Sequence, residues 1–402
     1  MTPQAERIRS LDVLRGLGIL GILAVNAPFF AQPFGMAFDP ELLGPLDAKS
    51  EDVWAVVRVF FERKFVTLFS MLFGASILLV GGEKGDAERS PVLTRRLCWL
   101  LLFGALHGAL IWYGDILLTY AIAGLIAAQF RSMSLGKLFG VGFALYFAFA
   151  LLEAASYAAL AVVPAEYLAG SMPFLSPEAA RAEIANYRGD LATVQAQAFT
   201  SWASFVSYTV GYIPSTIGLM FVGMGLYKTG VFAARRGFGL YLLLTILGAA
   251  ALAALWWATM RELAAPEADK WAEPLRSTLN AVLAPAVTLG YVSLICLILK
   301  TPLRLLTAPL AATGQMAFTN YLTQSLIMTT IFYGGRGLGL FGTMTLYEQA
   351  QIVVAIWVVQ LVWSPIWMRF FHYGPFEWIW RSLTIKRPAP FLRRPSPPAA
   401  AA

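Results

Sequence analysis

Apolar residues recur along this chain in long continuous runs, without the strict alternation that marks half-buried strands. Ten runs stand out, at roughly 11–30, 65–81, 96–113, 115–130, 138–163, 204–227, 238–259, 277–299, 309–332 and 347–370. Each approaches the ~20 residues an α-helix needs to cross a bilayer core. Continuous runs exclude a strand barrel, whose spans alternate. The pattern predicts an all-α, polytopic integral membrane bundle of about ten transmembrane helices. A single transmembrane domain is expected over 1–387, followed by a disordered Pro- and Ala-rich tail over 388–402. Three intervening segments have content of their own. Residues 31–64 end in an amphipathic stretch, Val53 to Lys64, expected to lie in the interface plane. Residues 164–203 carry Pro164, Pro173 and Pro177 before a helix-like run from Glu178 to Thr200, and residues 260–276 are short and charged.

Composition agrees with this picture. Of 402 residues, 58% are apolar and 13% charged. The charged share is about half the ~25% usual for soluble domains, too little to clothe a soluble surface of this size. The net charge of +7 is read as Lys and Arg in cytoplasmic loops; no nucleic-acid module accompanies it. Placing the N-terminus in the cytoplasm puts a two-to-one majority of the 30 Lys and Arg inside, and an even number of spans returns the C-terminus there. Asp12 and Arg15 make the first span too polar at its start for a simple signal peptide, so it is expected to be retained. Cys98 and Cys296 are read as buried free thiols.

Charged and polar groups inside spans are costly, so they are the first candidates for function. Asp12 and Arg15 are three apart and share a helix face, either as a local anchoring pair or with Arg15 facing a cytoplasm-open pocket for an anion. Asn26 follows Arg15 by eleven residues, close to three full turns, which puts it on the same stripe ~16 Å away. Arg96 and His107 repeat that interval in the third span. Two parallel helices would then offer cations at one level and an amide and an imidazole at a deeper one. His107 is either a satisfied hydrogen-bonding residue or a general base; it has no His or Cys at metal spacing, so no metal site is expected. Asp115 is either a helix cap or the group that orients His107 across a short hairpin. Asn320 and Gln324 share a face in the ninth span, as helix glue or as a cavity lining. Glu377 and Arg381 fit an interfacial helix in a Trp belt. No Walker loop, dinucleotide fingerprint or nucleophile elbow is present.

Four blocks resemble the YeiB-like family of bacterial membrane proteins of unknown function. They are Leu11–Gly16 with Asn26; Phe65–Gly74; Arg95-Arg96 through His107 with Gly114–Leu117; and Gly314–Ser325 with Gly374–Trp378. That family in turn resembles the transmembrane acyltransferases, such as the heparan-glucosaminide acetyltransferase and enzymes that decorate bacterial surface polysaccharides. The resemblance implies a multi-pass protein of the bacterial cytoplasmic (inner) membrane, for which the Lys and Arg bias predicts both termini in the cytoplasm. It implies acetyl-CoA or another acyl-CoA as co-substrate, with no metal, and an envelope glycan or small-molecule acceptor at the outer side. Catalytic roles would fall to His107, Asp115 and Asn26, and donor binding to Arg15, Arg96, Asp12, Asn320 and Gln324. Asn26 stands where the polysaccharide acyltransferases carry a first-span histidine. Other expected partners are the lipid bilayer and, left open, a second copy of the chain. A small-solute transporter using Asn320, Gln324 and His107 as midplane ligands is the alternative; neither an inverted repeat nor paired broken helices are evident in the sequence to support it. A non-catalytic scaffold is the third reading.

Overall fold

The computed structural model describes residues 8–163, 172–265 and 269–393, and among them no strand forms beyond one isolated bridge, Phe371 with Leu392. The helices are α1 (Arg9–Ala31), α2 (Ala48–Val56), α3 (Lys64–Gly81), α4 (Arg89–Leu110), α5 (Leu117–Ala127), α6 (Leu135–Val162), α7 (Pro177–Tyr187) and α8 (Leu191–Val210). They continue with α9 (Ile213–Lys228), α10 (Phe238–Leu263), α11 (Ala272–Leu299), α12 (Ala308–Gln315), α13 (Ala317–Phe332), α14 (Leu346–Phe370) and α15 (Pro375–Ile385).

Every one of the ten apolar runs falls on a helix or a broken pair, but length and apolarity do not support ten spans. Among the described residues, six helical stretches are long and apolar enough to cross a membrane, or seven if the bent pair α8–α9 counts as one. α5 is too short, α4 opens on charged residues, and the ninth run is split at Met316 into α12 and α13. Broken helices therefore do exist: α8 and α9 meet at 61°, and the α12–α13 junction is the second break.

Two helices are wrapped on nearly all sides, α1 and α9, and small residues let their neighbours approach. A Cβ on Gly16 would lie 2.0 Å from the Leu310 carbonyl oxygen, and one on Gly314 only 1.8 Å from that of Asp12. α9 meets α3 in the same way, through Gly223 against Met71 and Gly74 against Met220. α10 and α11 close on each other at Gly248 and Gly290. Backbone approach through small residues is the packing expected where lipid removes the hydrophobic drive between helices. The perimeter carries the apolar side chains instead: Leu243, Ile246, Leu247 and Trp257 of α10 and Leu151 and Leu152 of α6 are exposed.

Capping divides the helices by environment. α2, α7, α8 and α14 start in polar loops and carry their own caps, at Asp47, Ser176, Asp190 and the Thr345–Glu348 box. α5 and α13 start inside the protein and borrow carboxylates from Asp115 and Glu377.

Several local expectations need correcting. Residues 57–61 form a π-helical turn that carries Val59 and Lys64 into the interior, so Val53–Lys64 is a wedge rather than a surface strip. The run from Glu178 to Thr200 is two helices separated at 188–190. Cys296 is buried, but Cys98 is exposed on α4 because it points away from the buried Leu93–Leu97–Leu100 stripe. Residues 388–393 are not a loose tail: His372 N–H donates to the Phe391 carbonyl, Arg393 N–H to that of Phe370, and Phe391 packs against Phe371 and Trp378. Residues 394–402 lie outside the described residues.

Candidate functional site: two cavities and a buried His–Asp pair

Two cavities lie end to end along α1. Asp12, Arg15 and Ile19 line one; Ala24, Ala27 and Phe29 line the other. At ~1.5 Å per residue their centres are on the order of 15 Å apart. Each cavity is also lined by a helix break. Gly314, Gln315 and Ala317 face the first, and Tyr208, Thr209, Tyr212 and Ser215 face the second.

The first cavity, about 350 Å³, is cationic at its rim. Arg15 Nη1 sits 3.3 Å from Asp12 Oδ1, and Asp12 Oδ2 accepts from Gln315 Nε2 at 3.3 Å. The Arg96 guanidinium stacks 3.7 Å over the Trp380 ring, whose indole N–H donates to the Arg96 carbonyl. Arg381 lies over Tyr373 at 5.0 Å. Neither Arg96 nor Arg381 makes an ion pair among the described residues. Glu377 does not neutralise them by direct contact, because it is occupied elsewhere. Its Oε1 accepts from the Phe318 and Thr319 N–H groups at 2.6 and 3.1 Å, and its Oε2 from the Thr319 hydroxyl at 2.5 Å. Glu377 is thus the cap of α13, a role its interfacial setting in the sequence did not reveal. The deeper walls are apolar, from Phe69, Leu72, Phe73, Leu97 and Leu100.

The second cavity, about 640 Å³, is aromatic, with Tyr120, Tyr146, Tyr208, Tyr212 and Trp357 among its walls. Of its six charged lining residues, Asp52 and Glu273 are exposed, and the other four are matched. Arg58 pairs with Glu62 at 2.6 Å, Arg276 with Glu62 at 3.3 Å and with Glu262. Arg63 grips Glu153 with two hydrogen bonds of 2.8 and 2.5 Å, and Glu153 also accepts from Tyr212. Behind this wall Lys64 is fully buried, donating to Asn280 Oδ1 at 2.6 Å and to the Arg58 carbonyl at 2.9 Å. Sequence placed Arg58, Glu62, Arg63 and Lys64 in the amphipathic stretch before the second span, but named none of these residues as part of a site. Their signal was available: charges at the start of an apolar run that no water can reach must find partners.

His107 and Asp115 come together. His107 Nδ1 is 2.9 Å from Asp115 Oδ1, and both side chains are about 1% exposed. Asp115 Oδ2 accepts from the Leu118 N–H at 2.8 Å. The two readings of Asp115 therefore hold at once: one oxygen caps α5 and the other orients the imidazole. An Nδ1–H donated to this carboxylate leaves Nε2 as the lone-pair nitrogen. Nε2 is buried and has no hydrogen-bond partner among the described residues. The His107 ring lies 5.1 Å from that of Tyr321, which lines the cationic cavity, so the pair sits one side chain back from that wall.

Other expected site residues lie elsewhere. Asn26 is half-buried on α1; it lines neither cavity and no hydrogen bond joins it to His107. Asn320 and Gln324 belong to a polar seam between helices. Asn320 Nδ2 donates to Ser364 Oγ and the Thr313 carbonyl, each at 3.1 Å. Gln324 Nε2 donates to Gln360 Oε1 at 2.8 Å and the Ile19 carbonyl at 3.3 Å. They tie α1, α12, α13 and α14 together and line neither cavity.

The family described as "Protein of unknown function (DUF418)" matches residues 226–387. The chain is 30% identical over 410 residues to the uncharacterized protein YeiB of Escherichia coli K12, with 97% of this chain and 100% of the relative aligned. It is also 30% identical over 406 residues to the uncharacterized protein YxaH of Bacillus subtilis 168, with 97% of each chain aligned. Family likeness of that extent, on a helical membrane fold with the first-span Asp12-Val13-Leu14-Arg15-Gly16 block at its centre, leads to one conclusion: the chain belongs to the YeiB-like family.

Proposed function

We propose that this protein is a membrane-embedded acyltransferase of the bacterial inner membrane. It moves an acyl group, acetyl in the first instance, from acyl-CoA to a hydroxyl or amine acceptor. The cationic cavity receives the donor, with Arg96 and Arg381 meeting its phosphates. The aromatic cavity receives an envelope glycan or small-molecule acceptor. With both termini cytoplasmic, the donor enters from inside and the acceptor lies toward the outer face. The observation that carries the reading is positional: a His–Asp pair whose buried Nε2 has no hydrogen-bond partner among the described residues stands beside the junction of a cationic and an aromatic cavity. His107 Nε2 takes the proton of the acceptor O–H or N–H as that atom attacks the acyl carbon. The C–S bond of the thioester breaks, and CoA leaves as a thiolate that is then protonated. Because His107 sits one side chain back, Tyr321 must move aside in the reacting state.

The test pairs binding with turnover in purified protein. Arg96→Ala should weaken CoA binding at least about tenfold, as expected for a lost charge-assisted contact. His107→Ala should bind CoA like the parent while slowing acyl transfer to a cell-envelope extract by roughly 10²–10⁴-fold. Full turnover in His107→Ala, or no CoA binding by the parent, overturns the proposal. One observation favours the transporter reading: each cavity is lined by a broken helix, as substrate sites in transporters are. Stabilisation of the protein by a solute with no response to CoA would decide for it.

A further inference from the structure

The linings of the two cavities share two residues, Ile116 and Tyr120. Tyr120 spans the boundary. Its hydroxyl lies 2.9 Å from Ser70 Oγ and donates to the Val66 carbonyl at 3.0 Å, and both of those residues line the aromatic cavity. Its ring lies 5.6 Å from that of Phe73, which lines the cationic one. Ile116 is held differently, by its backbone. Asp115 before it is tied to His107, and Leu118 after it is tied back to Asp115. Both members of the boundary are therefore fixed in place, one by side-chain hydrogen bonds and one by a short braced turn.

We infer that Ile116 and Tyr120 form a rigid partition between the cavities and that this partition sets the size of the group the protein passes. With the partition in place, the donor has the cationic cavity, about 350 Å³, and its acyl group must end there. The neighbouring 640 Å³ is denied to it. A small acyl group brings its carbonyl to the edge of the partition, where an acceptor atom reaching from the aromatic cavity can attack it; a long chain has nowhere to extend. Truncating either residue joins the two spaces. The size-selection arm rests on the acyltransfer reading, with C–S cleavage and C–O or C–N formation as written above; the partition itself does not.

Two measurements test it separately. In a background carrying Cys98→Ser and Cys296→Ser, single cysteines replace Ser76, on the cationic cavity, or Thr119, on the aromatic one. A small membrane-impermeant thiol reagent is applied to right-side-out and inverted vesicles. Each cysteine should react from one side, and the sides should be opposite. Adding Tyr120→Ala or Ile116→Ala should let each react from both sides, while Tyr120→Phe, which keeps the ring, should not. Reaction from both sides in the parent, or an unchanged pattern in the alanine variant that folds, overturns the partition. In turnover, the parent should favour acetyl- over octanoyl-CoA, and the alanine variants should raise the octanoyl-to-acetyl ratio by about tenfold or more. An unshifted ratio in an active variant overturns size selection. If the parent turns over no acyl-CoA, the acyltransfer reading is what fails, and the labelling decides the partition alone.

Discussion

At the scale of residues, the buried groups that matter most differ in how visible they were. His107 and Asp115 were legible because an imidazole and a carboxylate in apolar sequence have few places to go, and a short hairpin brought them together. Glu183 was not, because its environment is supplied by a residue 149 positions away. It lies on α7, outside the spanning helices, where burial pushes its carboxyl up to about 7. Oε2 accepts from the Phe34 N–H at 3.0 Å, a bond that favours the ionised form and only partly offsets burial. The folded protein therefore keeps a proton on Glu183 to near neutrality, whereas the unfolded chain releases it near the ordinary 4.5. Stability should fall as pH rises from about 4.5 through 7, the folded state binding more protons across that window. Glu183→Gln should melt with the parent near pH 4 and several degrees above it near pH 8; equal melting at both pH values would contradict this. The eleven-residue intervals show the limit of sequence. They fix which face of a helix Asn26 or His107 occupies, but not which neighbour that face meets. Ile116 and Tyr120 gave no signal, since an isoleucine and a tyrosine in an apolar run are ordinary.

At the scale of elements, the site depends on close helix contacts and on breaks. The α1–α12 contact brings Asp12 beside Gln315 and holds the cationic rim together. It tolerates no side chain at Gly314, where a Cβ would sit 1.8 Å from the Asp12 carbonyl oxygen. Gly314→Ala should abolish a monodisperse peak in size-exclusion chromatography. Gly136→Ala on α6, where nothing lies within 4 Å, should behave like the parent or gain slightly in stability. If both variants run alike, close packing at Gly314 is not required. The apolar runs announced the helices but hid the break at Met316, because its neighbours Ala317 and Phe318 are as apolar as any span interior. What starts α13 there is Glu377, about sixty positions downstream. The sequence carried the cap and the capped turn in separate blocks, and only packing joins them.

At the scale of the whole molecule, the predicted orientation is open to direct labelling. Lys84 and Arg181 are both exposed and are separated in the chain by α4, α5 and α6. With the N-terminus inside, a cysteine at Arg181 should react with an impermeant reagent in intact cells and one at Lys84 should not. The reverse pattern would invert the topology. The fully buried Lys64 has a further consequence, for the order in which the protein is made. Lys64 and Glu62 sit at the threshold of α3, yet Asn280 and Arg276, which satisfy them, belong to α11 and emerge from the ribosome more than 200 residues later. Until then Glu62 has only Arg58 and Lys64 only the Arg58 carbonyl, an incomplete set of partners at the edge of an inserted helix, so α3 should settle fully only late or with help from an insertion chaperone. Chains truncated before α11 should be cleared quickly in a pulse-chase, and Lys64→Met with Glu62→Gln should slow that clearance. On this account the same charges that stabilise the finished wall would act during synthesis as a checkpoint, keeping an incomplete bundle marked for degradation until α11 arrives.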